Sequence, residues 1–485
     1  MTESPTVVIL GAGVSGLCTG IQLLRAGISS FTILEKSDRV GGTWYDNQYP
    51  GAACDVPSHF YCYSFEPNPD WSRKFSGQAE IQRYLEHCAE KYGLLPHIRF
   101  GCEVASARFD DGAGLWRVRT RGGESLDAQV LVSGVGQLNR PHIPDLPGLA
   151  DFAGVWFHSA RWRHDCDLAG KNVAVIGNGA SAIQFVPKLA KLAGRLTIFQ
   201  RSANWVVPRG DYAYSERAKR IFRSFPPLLR LYRWFFYWQL ERNYLAFGAN
   251  GRTARNFEKA ARAWLETSIP DPKLRALLTP DYRVGCKRIL IDDDFYPALS
   301  RPNVSVEPSG IARITRDGIE TKDGAIHPAD VIVLATGFET TTFLAPIEIT
   351  GRGGRTLADA WDGGAEAHLG LCVSGFPNFF MMYGPNTNLG HNSIIFMIEA
   401  QVRYAVRCIR ALGEKRLRFL DVRPEAQRRF NAGLQRELEK TAWAAGCRSW
   451  YKTASGKITN NWSSSTLAYW WKTRRPKLDD FEQAS

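Results

Sequence analysis

The order of apolar and polar positions divides the chain into two similar units with a basic, aromatic stretch after the second. Residues Thr6 to Leu10 are β-branched and aliphatic, and GAGVSG follows directly from Gly11 to Gly16. Leu17 to Ala26 repeats its apolar positions at helical spacing and stops at Gly27, and Phe31 to Leu34 is a second apolar run closing on Glu35. Strand, glycine turn, helix and strand in that order predict a βαβ unit. The pattern recurs. Asn172 to Ile176 reads as a strand, GNGASA runs from Gly177 to Ala182, and a helix is expected from about Ile183 to Leu192. Leu196 to Phe199 is the next strand, ending on Gln200, Arg201 and Ser202. The expected fold is α/β, with two Rossmann-like dinucleotide-binding domains.

Each small residue has a physical task. Gly11 permits the tight turn, Gly13 lets a pyrophosphate approach the backbone, and Gly16 lets the helix pack against the strand. Gly177, Gly179, Ala180, Ser181 and Ala182 hold the corresponding places in the second unit. Amides at each helix N-terminus then face phosphates. Glu35 accepts hydrogen bonds from a ribose diol and repels a 2′-phosphate, which points to FAD or NAD. Arg201 pairs with a 2′-phosphate and Ser202 donates to it, which points to NADP(H). Opposite charge preferences imply two cofactors, FAD in the first site and NADPH in the second. Asp330 to Phe338 reads as a strand running into a small-residue turn that returns the chain to the first domain, and Gln129 to Gly136 as the matching crossing out. The NADPH domain is therefore expected as an insertion in the FAD domain. The FAD domain begins at 1–145, the NADPH domain spans 146–329 with a helical insertion at about 212–280, and 330–485 completes the FAD domain and carries a substrate region.

Composition narrows the classes. The 485 residues are 44% hydrophobic and 22% charged, enough for two or three domains with their own cores. The formal charge of +13 comes with no nucleic-acid-binding motif, so polyanionic small ligands are expected and nucleic acid is not. The ten cysteines show no CxxC pair and fit free thiols in a reducing compartment. That usage, and an N-terminus without export signals, gives the expectation of a cytoplasmic protein. No cluster has metal-ligand spacing, so no metal is expected.

Two dinucleotide sites suit a disulfide reductase, an electron-transfer reductase or oxidase, or a monooxygenase. The first lacks its cysteine pair here. Longer motifs separate the rest. GGTWYDNQYPGAACD from Gly41 to Asp55 resembles the flavin-adjacent segment of class B Baeyer–Villiger monooxygenases. FAGVWFHSARW from Phe152 to Trp162 resembles their linker fingerprint, with Phe152, Gly154, His158 and Trp162 in place. Arg163 stands where that family usually has Pro or Asp. TIFQRSANWVVPR, GCKRILIDDDFYPALSRPNV, YGPNTNLGHNS and CRSWYKTASGKITNNW extend the resemblance to Trp462.

The resemblance implies an enzyme that uses NADPH, FAD and O2 to insert one oxygen atom beside a ketone carbonyl through a C4a-peroxyflavin, giving an ester or lactone. It places Asp55 and Arg288 in the active site. Arginine keeps its proton, so Arg288 would be a fixed positive charge beside an anionic peroxide, oriented by Asp55. Lys287 is implied near the NADPH phosphate or ribose. Lys36, Thr43, Trp44, Thr336, Gly337 and Asn388 are implied around the cofactors. For His158 the resemblance implies a conformational or cofactor-positioning task in an interdomain linker, not that of a general base. Oxygenation of sulfur or nitrogen is the nearest alternative, with an NADPH oxidase or electron-transfer flavoreductase beyond it. The substrate is expected to be a lipophilic ketone, with the C-terminal aromatics Trp450, Tyr451 and Trp462 near the pocket. The stretch from Ala218 to Asn250 is too short and too charged for a membrane span. It has four readings: a substrate lid, a peripheral membrane contact, a subunit contact or plain core. The oligomeric state is not legible.

Overall fold

A computed structural model describes residues 4–248, 251–444, 451–453 and 455–484. Two parallel five-stranded sheets organise it. The first runs Phe379–Met381, Val130–Ser133, Val7–Leu10, Phe31–Leu34 and Ile98–Arg99 in spatial order. The second runs Val304–Glu307, Arg195–Phe199, Asn172–Ile176, Val331–Leu334 and Val155–His158. Val7–Leu10 and Val130–Ser133 lie mid-sheet, and both are buried along their whole length. Parallel strands covered on both faces require such continuous apolar runs.

The first sheet contains a strand from late in the chain, so the second half is inserted into the first. Phe379–Met381 pairs with Val130–Ser133 in register Phe379 to Leu131. The helix Ile394–Glu414 then packs on Val14–Arg25. Val331–Leu334 pairs with Asn172–Ile176 and with Val155–His158, so the inserted half runs on through Leu334, past the boundary at 330, and the chain returns in the turn that follows. The two crossings run side by side. His142 N donates to the Gly337 carbonyl at 2.9 Å, and Glu339 N to Arg140 O at 2.9 Å.

Between the strands Arg195–Phe199 and Val304–Glu307 lie the helices Glu216–Ser224, Pro226–Arg242, Arg252–Ser268 and Pro272–Leu278. Phe152, Gly154, His158 and Trp162 do not sit in a free linker. Val155–His158 is the edge strand of the second sheet, in register with Val331–Leu334. Its four-residue run was too short to be told from a connection by pattern alone. The free-thiol expectation fails at one position, because Cys286 is disulfide-bonded. Linear spacing carries no information on pairing between distant residues. Eight other cysteines are free. Cys447 and Trp450 lie outside the described residues. No described helix is long and apolar enough to cross a membrane.

Candidate active site between the two halves

One cavity of about 840 Å³ lies between the halves. The helix Val14–Arg25 opens onto it with Gly13 as an uncapped N-terminus and no acidic residue in its first turn. The helix Ala180–Leu189 does the same through Gly179. Two helix ends with unspent amides and positive dipole ends suit two pyrophosphates. A Cβ on Gly179 would meet nothing within 4 Å, so the backbone there is open to a ligand. Gly11, at φ +91°, makes the first turn. A Cβ on Gly16 would fall 1.8 Å from the Gly11 carbonyl oxygen, and one on Gly177 would fall 2.4 Å from Ala335 O. Gly16, Gly177 and the buried Ala182 therefore serve the packing beneath the cavity and do not line it.

Glu35 ends the second strand of the first half and lines the cavity, only 4% exposed. It accepts hydrogen bonds from Ala12 N at 2.6 Å and Ser37 N at 2.9 Å. The carboxylate is thus fixed as an acceptor in the cavity wall, where it would suit a ribose diol. Its counterpart, Arg201, is exposed at the rim, outside the cavity lining. Lys287 Nζ donates to Ser202 Oγ at 2.7 Å. Burial pushes the Lys287 ammonium down; Asp281 opposes that shift and Arg201 adds to it. Lys287 on this hydroxyl, with the Arg201 cation close enough to push it down, fits a doubly charged 2′-phosphate. Both sites therefore fit the dinucleotides expected of them.

Lys36, Thr43, Trp44, Asp55, Ala180, Ser181, Lys287, Arg288, Thr336, Gly337 and Asn388 all line the cavity. Arg288 Nη2 donates to Asp55 Oδ2 across the seam, one partner from each half. About a third of each side chain remains open to the cavity. Asp55 pushes the Arg288 guanidinium still further up, so it stays charged at every accessible pH. Trp44 donates from its indole to Tyr61 Oη at 3.1 Å and meets that ring edge-on. Thr336 Oγ1 donates to His142 O, tying the two crossings together.

His158 is buried away from the cavity lining. Its Nδ1 accepts from Ala160 N at 3.1 Å, and its ring meets Phe338 of the return crossing. Burial pushes the imidazole down to about 4. Gly154 is required by space, since a Cβ would fall 2.3 Å from Asp330 O. Phe152 packs in the core beneath the second sheet, and Trp162 packs against Phe157 and Phe185. Arg163 forks onto Asp165, so its departure from the usual fingerprint stays at the surface. Of the C-terminal aromatics, Tyr451 lies near Arg288, whereas Trp462 lines a separate cavity.

Sequence reasoning missed the residues that bind the halves together. Gln184 Oε1 accepts from Tyr49 Oη at 3.0 Å and from Ala53 N at 3.3 Å, while its Nε2 donates to Ala53 O at 3.0 Å. Arg209 Nη2 donates to Cys54 O at 2.8 Å. The backbone immediately before Asp55 is therefore gripped from the opposite half. A glutamine inside the apolar helix ASAIQFVPKL was the available signal. Tyr383 Oη donates to Asn388 Oδ1 at 2.7 Å and also lines the cavity.

Residues 4–230 match the family described as flavin-binding monooxygenase-like. That match and the paired dinucleotide sites are those of a flavin monooxygenase, and relatives over the full length show the class. The chain is 45% identical to a Baeyer–Villiger monooxygenase of Streptomyces coelicolor, over 99% of this chain and 93% of that one. It superposes on a crystal structure of OTEMO with FAD and NADP at TM-score 0.89 and 28% identity, covering 99% and 100% of the two chains. An oxidised steroid monooxygenase bound to NADP gives TM-score 0.88 at 30% identity, with the same coverage. The chain belongs to the Baeyer–Villiger monooxygenases and is an FAD- and NADPH-dependent monooxygenase of that type.

Proposed function

We propose that this chain oxygenates a lipophilic ketone at the Asp55–Arg288 pair, with FAD along the first half of the cavity and NADPH along the inserted half. The observation that carries this reading is the position of Arg288. It comes from the inserted half, bonds Asp55 of the other half, and faces the space between the two uncapped helix ends. When bound, NADPH and FAD supply the reducing equivalents and the activation of O2.

The chain's own residues do the rest. The Arg288 guanidinium presents a fixed positive charge to the negative charge that develops on the ketone oxygen. It costs little reorganisation, because Asp55 already holds it in place. Asp55 also keeps that charge compensated when no anion is present, which limits the cost of holding it in the cavity. Gln184 and Arg209 fix the loop that carries Asp55. Arg201, Ser202 and Lys287 select the phosphorylated ribose. Val56, Leu389, Ile394 and Ile398 give one end of the cavity an apolar wall suited to a lipophilic substrate.

Mass-spectrometric product analysis of the holoenzyme with NADPH, air, and a panel of cyclic, linear and aromatic ketones tests this. Esters or lactones are expected. A panel that yields only a sulfoxide from an added sulfide overturns the ketone assignment.

A further inference from the structure

The helix Pro226–Arg242 has two unlike sides. Its inner side is tightly engaged. Phe236 and Tyr237 are buried against Phe60, with Val56 and Phe396 packed beside them. Arg233 donates to the carbonyls of His59, Phe60 and Cys62. Glu241 is buried and accepts from Thr466 and Asn392. The helix is a fixed wall directly behind the loop that carries Asp55.

The outer side is apolar and bare. Leu231 is 66% exposed, Phe235 59%, Trp238 56% and Trp234 52%, with Leu228 and Phe225 also exposed. Leu228, Leu231, Phe235 and Trp238 recur at the three- and four-residue spacing of one helical face. Chains that stay monomeric rarely leave so continuous an apolar stripe in water. Cations surround it. Arg217 and Arg220 lie exposed on the preceding helix Glu216–Ser224, Arg230 flanks the stripe, and Arg242 ends it. Among the described residues none of these four has an ion-pair partner. The only carboxylates of the two helices are already engaged, Glu216 by Lys219 and Glu241 inside the protein.

We propose that this face docks in plane on an anionic lipid surface, with the aromatic and leucine side chains entering the headgroup boundary and the four arginines pairing with lipid phosphates. Tryptophan, phenylalanine and leucine on one side with arginine around them is the composition of an interfacial helix. No described helix spans a bilayer, so the contact is peripheral. The charge complementarity favours a lipid surface over a second copy of this chain, which carries +13 itself and would bring like charges together. Docking would set the lipid boundary one helix thickness, about 10 Å, from the Asp55 loop.

Sedimentation of the holoenzyme with phosphatidylcholine vesicles, with and without phosphatidylglycerol, tests the proposal without any ketone. Binding is expected only with phosphatidylglycerol present, and it should weaken as salt rises. Leu231→Asp with Trp238→Asp should abolish it, with flavin content and turnover of a water-miscible ketone unchanged. Arg217→Gln with Arg220→Gln should weaken binding roughly 30-fold, about fivefold for each charge removed. Failure to sediment at low salt overturns the proposal, as does sedimentation that survives the aspartate pair. A dimer that the aspartate pair dissociates, with no vesicle binding, assigns the face to a second copy instead.

Discussion

The two nucleotide-binding halves repeat one βαβ plan and differ at two places. In the first, Gly16 lies so close beneath the turn that a Cβ would strike the Gly11 carbonyl, whereas in the second Ala182 is accommodated in that place. In the first, the second strand ends on the buried Glu35, locked by two backbone amides. In the second it ends on the exposed Arg201 and on Ser202, held by Lys287. One half ends its strand on a carboxylate fixed by backbone amides, the other on an exposed cation. The contrast teaches that one shared plan can end its second strand on opposite charges, which on the proposed reading is where the dinucleotide is chosen.

The largest expected effect breaks the joint between the halves. Arg288→Ala should lower kcat for ketone oxygenation by about 10²–10³-fold, the usual cost of removing a preorganised charge donor. NADPH consumption should continue, so the ratio of product formed to NADPH consumed is the quantity to measure. A variant whose product ratio equals wild type would separate the seam from the chemistry.

The edge strand supplies the next test. Three buried imidazoles, His59, His158 and His368, are each pushed down to about 4, with desolvation by burial as the largest cause. Unfolding lets each return to about 6.5, so the unfolded chain binds more protons between pH 4 and 6.5. The contribution of these three imidazoles to stability should therefore fall as pH drops through that window and stay level above it, while the carboxyls of Asp292 and Asp421, raised to about 6 by burial, act in the opposite sense. His158→Asn should remove up to about 2 kcal/mol of the loss between pH 7.5 and pH 5. Denaturant titrations at pH 5 and 7.5 measure it, and an unchanged pH slope would contradict the burial argument.

Cofactor choice separates the halves directly. Arg201→Ala should raise KM for NADPH by roughly 10–100-fold, the worth of a charge-assisted hydrogen bond, and leave KM for NADH unchanged. Equal effects on both cofactors would place Arg201 outside the 2′-phosphate contact. Smallest is Glu35→Gln, which keeps the shape but weakens an acceptor. Flavin affinity should drop by about tenfold, read as the flavin-to-protein ratio after dilution. Retention equal to wild type would mean the ribose does not depend on that carboxylate.

The local periodicities carried most of what the sequence by itself determined. Apolar runs of four or five residues, each punctuated by glycine, named the buried parallel strands, because such strands must be apolar on both faces. Glu35, Arg201 and Ser202 stood out because they follow the second strand of each unit, where this plan places the ribose. The longer motifs pointed to Asp55 and Arg288.

Only the tertiary structure decided what depends on contact between distant residues. It turned Val155–His158 from a connection into an edge strand, since a short strand is specified by its neighbour Val331–Leu334 more than by its own four side chains. It carried the second sheet through Leu334 and bonded Cys286. It brought Gln184 to Ala53 and Arg209 to Cys54, contacts that no linear pattern encodes. It also sorted the aromatic stretch into a buried side against Phe60 and a bare side in solvent. That division follows from packing geometry, because one-dimensional hydrophobicity counts both faces of a helix alike.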